Sequence, residues 1–215
     1  MTRASTQMFD DRRDAGQQLA RRLTHHHDSS AIVLAIPCGG VEIGYQVATT
    51  LGVDFDLIVV RKLPMPGNPE AGFGAIAEDG STVMVPGAEE QFGPDAVQRV
   101  SREQRQEIRR RIRELRNGNP LPDVEGRRVI LTDDGVAMGS TMRASIACCR
   151  NRGAGAVTVA VPVAGPRVVP ALQEEADGVV AVTSPPGFRA VAQVYRRWRD
   201  VTDEEVLEIM GRGEC

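Results

Sequence analysis

Asp133 and Asp134 are adjacent carboxylates, followed at once by Gly135, Gly139, Ser140 and Thr141, and these residue types in this order could do chemistry together. The segment reads VILTDDGVAMGSTM over residues 129–142. Val129 to Leu131 is a short apolar run, expected as a buried strand, and the acids stand at its end. The glycine-containing loop from Gly135 to Thr141 then runs into the start of a helix. Successive backbone N–H groups in such a loop form a concave nest, and a helix N-terminus adds partial positive charge, so the segment suits a phosphate. Two carboxylates beside a phosphate alone would be repulsive. They make sense if the ligand also offers hydroxyl donors or a divalent cation between acids and phosphate, as a sugar phosphate with a free diol does. The plainer reading is a turn and helix cap, for which Asp, Gly, Ser and Thr are ordinary choices. A cap, however, has no need of two consecutive acids at a strand end.

The segment resembles the phosphoribosyl-pyrophosphate (PRPP) motif of the type I phosphoribosyltransferase family. The resemblance extends with falling specificity from about Phe9 to the C-terminus. It implies an α/β fold, a mostly parallel sheet with helices on both faces and a small C-terminal hood over residues 184–198. By position, it implies that Asp133 and Asp134 take the ribose diol, and that Gly135, Val136, Ala137, Met138, Gly139, Ser140 and Thr141 take the 5-phosphate. PCGGVEIG (37–44) falls where the family has its pyrophosphate loop, which makes Cys38, Gly39 and Gly40 candidates. Related loops read PRGG, so Cys38 stands where arginine is usual. Arg61 and Lys62 match a basic pair of adenine-type members, with Lys62 the one assigned to catalysis. Phe188 of the hood is the candidate for stacking on the acceptor, while Tyr195 and Trp198 are expected mainly to pack the core.

The implied reaction is transfer of a phosphoribosyl group from PRPP to a nitrogenous acceptor, with release of pyrophosphate. Mg2+ is the implied cofactor; it prefers phosphate oxygens and water to dense protein cages. Ala137 lies where oxopurine-type members carry an acid, which argues against that subclass. Met138 replaces a usual threonine and loses a hydroxyl contact worth roughly 1.5–3 kcal/mol to a charged group. With Cys38, it keeps open a second reading, a non-catalytic PRPP or nucleotide sensor. The family also leaves a homodimer open.

Several elements must position these residues. Phe9, Ala15, Leu19 and Leu23 mark an amphipathic helix. Ala31–Ile36 is an apolar strand, and Val41–Leu51 a second helix. Leu57–Val60 is expected as a third strand ending in Arg61 and Lys62, followed by a flexible loop, residues 63–80, that would close over the site. Thr82–Val85 is a short strand. Pro94 opens a long helix closed by Asn117–Gly118, whose RQEIRRRIREL run reads as a solvated face. A helix from Met142 to Cys149, a strand over Ala156–Val163, a helix over Val168–Ala176 and a strand over Val179–Val182 follow. Thr202 and Glu205 form a capping box for a last helix. Alternating strands and helices predict a parallel sheet, with ligands beyond the strands' carboxyl ends, where the loops at 37–40, 61–80 and 133–141 can converge.

Composition sets the bounds. The chain has 215 residues, 41% of them hydrophobic, 26% charged and 4% aromatic, as expected of one globular domain over 1–215 whose core is filled by Val, Ala, Leu and Ile. A net charge of −3 gives no bulk attraction to nucleic acid or anionic lipid. No apolar run approaches the ~20 residues that span a bilayer. The N-terminal residues lack a signal-peptide core, so a cytoplasmic location is expected. The 4 cysteines have no zinc spacing and read as reduced thiols, and His25–His27 reads as a solvated linker. Lys62 is the only lysine. There is no G-x-S-x-G elbow and no GK[ST], which disfavours a hydrolase triad and a P-loop NTPase.

Overall fold

The computed structural model describes residues 8–24, 30–65 and 67–212. The His25–His27 run and Cys215 lie outside them. In chain order the elements are α1 (Arg12–Leu23), β1 (Ile32–Ala35), α2 (Gly40–Leu51), β2 (Asp54–Leu57), β3 (Val60–Met65), β4 (Asn68–Ala77), β5 (Thr82–Met84), α3 (Ala88–Phe92), α4 (Pro94–Leu115), β6 (Arg128–Thr132), α5 (Ser140–Asn151), β7 (Ala156–Val163), α6 (Val169–Glu175), β8 (Gly178–Thr183), a 3-10 turn at Val191–Val194 and α7 (Asp203–Gly211).

Successive side chains of a strand point to opposite faces. A strand that is apolar at every position must therefore be covered on both sides. β1 is such a strand, as are the runs Val129–Leu131 of β6 and Val159–Val163 of β7, and the sheet they form runs in the order β2-β1-β6-β7-β8, every pair parallel. Ile32, Leu34, Val129, Leu131, Val157 and Val159 enter one core with Met142, Ile146 and Cys149 of α5 and Leu172 of α6. Val33, Ile130 and Ala160 enter the other with Leu19 and Leu23 of α1 and Ile43 and Val47 of α2. The expected α/β architecture, mostly parallel with helices on both faces, is what the chain forms. β1 and β6 pair with Ala35 opposite Thr132, so the loops that leave them emerge side by side. That register brings residues 36–40 against Thr132, Asp133 and Asp134.

Two expectations require correction. The run Leu57–Val60 is not one strand. Leu57 ends β2 in the main sheet, Val60 begins β3 in a separate antiparallel sheet ordered β3-β4-β5, and the corner is held by Ile58 N–H on Ala35 O at 3.0 Å and Val59 N–H on Glu78 Oε1 at 2.8 Å. Nor is 63–80 a long loop, because β3 and β4 form a hairpin there, with Arg61 opposite Ile76 and Lys62 opposite Ala75. Its glycines suggested a loop, yet Gly74 is a packing residue: a Cβ there would lie 2.4 Å from Val83 O across the ladder. α4 covers one face of this small sheet through Val97, Val100 and Ile108, while Val60, Ala75 and Ala77 join the α5 side of the main core. Thr202 caps α7 with Glu205 as the reciprocal partner. Among the described residues no helix is long and apolar enough to cross a membrane.

Candidate functional site

Asp133 and Asp134 follow the last residue of β6, directly beneath the turn that opens α2. The fit is close. A Cβ on Gly39 would lie 1.9 Å from Asp134 Oδ2, and one on Gly40 would lie 2.8 Å from Thr132 O and 2.9 Å from Asp133 Cα. Only glycine at both positions lets the turn rest on the acids, so the two sequence motifs form one site. The N–H of Gly40 is donated to Ile36 O at 3.1 Å. Among the described residues no partner takes the N–H groups of Cys38 and Gly39. These two, rather than Gly40, are the open donors of the turn.

Asp133 Oδ1 accepts the Asp134 N–H at 2.8 Å. Burial, and then the Asp134 charge, push the Asp133 carboxyl well above its ordinary range. Burial also raises Asp134, while Arg12 opposes the rise. Arg12 Nε donates to Asp134 Oδ2 at 2.9 Å, with the two side chains 11% and 14% exposed. Its guanidinium is stacked 4.0 Å from the centroid of the Trp198 ring and donates to Arg199 O at 2.8 Å. The Tyr195 hydroxyl donates to Asp134 O at 2.7 Å. The hood thus reaches the acids through Tyr195, which is buried as expected. Trp198 packs its ring on Tyr195, with centroids 5.1 Å apart, and, being 39% exposed, also serves as the platform for Arg12.

The loop after the acids forms only part of the expected cradle. Val136 is a correction: its N–H is donated to Val163 O at 2.9 Å and its side chain is buried, so it is an anchor and not a donor. Among the described residues the N–H groups of Ala137, Met138 and Gly139 have no partner, and the Met138 side chain is 82% exposed. Gly139 takes φ 85° before α5, and a Cβ there would meet Val168 Cγ2 at 2.4 Å. Ser140 and Thr141 form the first turn of α5. Phe188 lies close by, since a Cβ on Gly165 would be 3.4 Å from Phe188 Cδ1 and 3.3 Å from Ala137 O.

The basic pair is split between the faces of β3. Arg61 shares its face with Leu63, which packs toward α4, and Arg61 Nε donates to Gln104 Oε1 at 3.3 Å. Lys62 is exposed on the opposite face, with its stem over Gly72. α4 sends a second arginine to Cys38: Arg111 Nη1 lies 3.4 Å from Cys38 Sγ and Nη2 lies 3.4 Å from Asp203 Oδ1. Arg12 and Arg111 were not singled out by the sequence. Arg111 left a signal, standing three residues after Ile108 and four before Leu115 on the apolar face of α4, where a charge needs a reason. Arg12 left none. Elsewhere, Cys148 and Cys149 are buried and burial raises both thiols, Cys149 to about 12, so they are inert. Among the described residues no group of three or more His, Cys, Asp or Glu could hold a metal.

Comparison with known proteins adds to this geometry. The phosphoribosyl transferase domain family matches residues 6–185. Two Mycobacterium tuberculosis proteins, from strains CDC 1551 / Oshkosh and H37Rv, are provisionally named phosphoribosyl transferases; each is 39% identical over 209 residues, which is 95% of this chain and 47% of theirs. The chain therefore spans about half the length of the curated relatives it matches. The crystal structure of TT1426 from Thermus thermophilus is 39% identical, with a TM-score of 0.79 over 94% of this chain and 97% of that one. A Neisseria gonorrhoeae protein solved with ppGpp bound shares the fold at 12% identity, with a TM-score of 0.51 over 96% of this chain and 95% of that one.

Proposed function

Because this chain belongs to the phosphoribosyl transferase domain family, we propose that it transfers the phosphoribosyl group of PRPP to a nitrogenous acceptor and releases pyrophosphate. One observation carries the reading. The turn at 37–40 rests on Asp133 and Asp134, so open N–H donors on that turn stand against two carboxylates at the carboxyl ends of β1 and β6, and a second row of open N–H donors follows the acids at 137–139. A pentose phosphate bearing a diphosphate has its three polar parts in the same order.

In this reading the N–H groups of Ala137, Met138 and Gly139 and the first turn of α5 hold the 5-phosphate. The ribose hydroxyls donate to Asp133 and Asp134. Arg12 holds Asp134 in place through its bond to Oδ2. Cys38 and Gly39 N–H groups and Arg61 meet the pyrophosphate. The bond from the anomeric carbon to the pyrophosphate oxygen breaks and its electron pair leaves with pyrophosphate. The acceptor nitrogen bonds the carbon and releases its proton to solvent. The paired carboxylates favour the cationic sugar that lies between these events. Phe188, beside Ala137, offers a face on which a planar acceptor stacks. Mg2+ fits this donor set, since it binds through substrate phosphates with one or two carboxylates at most; when bound it neutralises charge on the leaving group. Lys62, expected as a catalytic group, takes part only if the β3–β4 hairpin brings its face to the crevice.

Release of pyrophosphate from PRPP over a panel of nucleobases tests the assignment, together with the double variant Asp133→Asn/Asp134→Asn. Turnover by the parent chain and loss of PRPP binding in a folded double variant are expected. Unchanged PRPP affinity in that variant would sink the reading. The exposed Met138, which supplies no hydroxyl to the phosphate, favours a second reading, a PRPP or nucleotide sensor. Tight PRPP binding with no pyrophosphate released across the panel would select it.

A further inference from the structure

Resting on that reading, we propose that Arg111 of α4 is a substrate-binding residue that, with Arg61, clamps the pyrophosphate moiety at the Cys38–Gly39 turn. α4 is long and carries several arginines, of which Arg110, for instance, has a side chain 42% exposed and paired with Glu107 and Glu114. Arg111 is different. It lies on the packed face between Ile108 and Leu115, each 3% exposed, and its own side chain is 13% exposed. Taking a guanidinium that far out of water is costly unless its donors are used. They are poorly used here. The Nε is buried without a hydrogen bond, its nearest acid being Glu107 Oε1 at 3.5 Å. Among the described residues the terminal nitrogens reach a thiol and a carboxylate, each at the long distance of 3.4 Å.

A second cation faces the same place. Arg61 is half-buried, and burial and then the Arg111 charge depress its guanidinium below the usual range. Two like charges brought together in a partly dry site repel, and Glu107, which acts on both, is itself hydrogen-bonded through both carboxylate oxygens to Arg110, so a further anion is favoured between them. Arg111 reaches the side chain of Cys38, and the N–H groups of Cys38 and Gly39, on the same turn, have no partner among the described residues. Two planar guanidinium forks and two backbone donors match the many oxygens of a diphosphate better than a single phosphate or a hydroxyl. The 5-phosphate has its own donors at 137–139 and no arginine among them.

Titration calorimetry on the full chain with Mg2+ present tests this, using pyrophosphate and ribose 5-phosphate as separate probes. Arg111→Gln should lower pyrophosphate affinity ~10- to 100-fold, the loss of one or two charge-assisted bonds, and leave ribose 5-phosphate affinity within about 2-fold. The second probe reports on folding in the same sample. Adding Cys38→Arg to Arg111→Gln should restore most of the loss, because the charge is then supplied from the turn itself. Pyrophosphate affinity unchanged in Arg111→Gln overturns the clamp and leaves the phosphoribosyl reading standing. Equal loss of both probes, without recovery in the double variant, also overturns the clamp by making Arg111 merely structural. A parent chain that binds neither ribose 5-phosphate nor PRPP overturns the reading itself, and the clamp with it.

Discussion

Asp133 Oδ1 accepts the neighbouring N–H, and an asparagine there would keep that bond while removing a buried charge beside Asp134. The folded chain holds this carboxyl far above its ordinary value of 3.8. The sign follows: the neutral form is the one the fold prefers, so the site's contribution is complete below the unfolded pKa and is lost as pH rises through the elevated folded value. Asp133→Asn should therefore raise the thermal midpoint near neutral pH by ~2–4 °C, the effect of about 1 kcal/mol in a chain of this size, and should show no gain near pH 4. PRPP affinity should fall in the same protein, and a differential scan beside a binding titration reads both. Gly39→Ala carries the opposite signature. Its Cβ would sit 1.9 Å from Asp134 Oδ2, so either the turn or the acid must move, and PRPP affinity should drop by an order of magnitude, about 1.4 kcal/mol, with stability lowered as well. The acids and both glycine turns were legible because their chemistry is local: each is a run of adjacent residues with an unusual composition. Arg12 was not, since it meets Asp134 across 122 positions of chain and nothing near it in sequence marks the contact.

Between the two sheets, one buried ion pair fixes how α4 lies. Glu78, at the end of β4, and Arg116, just past α4, are each 3% exposed and hydrogen-bonded to one another. Arg116 also donates to Leu57 O at 2.9 Å, and Glu78 Oε1 accepts the Val59 N–H at 2.8 Å, so the pair ties the β2–β3 corner to the helix that carries Arg111. Glu78→Ala strands a buried guanidinium and should cost ~3–5 kcal/mol in denaturant unfolding. Glu78→Gln/Arg116→Met, which removes both charges, should recover much of that. A single-variant loss below about 1 kcal/mol would mean that the pair is wet and does not anchor α4. The main-sheet strands other than β2 and every long helix were readable from periodicity, because buried strands leave apolar runs and a helix leaves a 3.6-residue stripe, whereas β2 reads DFDL and leaves no such run. The hairpin was not. Its strands carry Pro64, Gly72 and Gly74, which signal a loop locally and are tolerated because partner strands approach where a side chain would not fit. The α4 charge run misled for a related reason: composition described the exposed arginines and hid Arg111, which turns inward.

At the scale of the whole molecule, the site is assembled from segments that only the sheet order brings together. β1 and β6 are neighbours although nearly a hundred residues separate them, and α1, α4 and the hood then send Arg12, Arg111 and Tyr195 onto the loops that leave these two strands. Parallel pairing was predictable from the alternation of elements, but the order β2-β1-β6-β7-β8 was not, because an all-apolar strand does not encode which neighbour it takes. A ligand that bridges these segments must stabilise the whole chain. At a free PRPP concentration of 100 times Kd the gain is ≈ 2.7 kcal/mol, or a rise of ~5–10 °C in the midpoint. This rise should itself depend on pH. Hydroxyl donors on the ligand favour the ionised pair Asp133–Asp134, so binding lowers the pKa values that burial had raised. The free protein loses stability as pH climbs above the ordinary carboxyl value of 3.8 and the complex does not, so the ligand-induced shift should widen as pH rises from that value. In Asp133→Asn/Asp134→Asn the shift should be small and flat with pH. A shift that is constant with pH in the parent chain would show that PRPP never touches the acids, and the diol would have to be placed elsewhere.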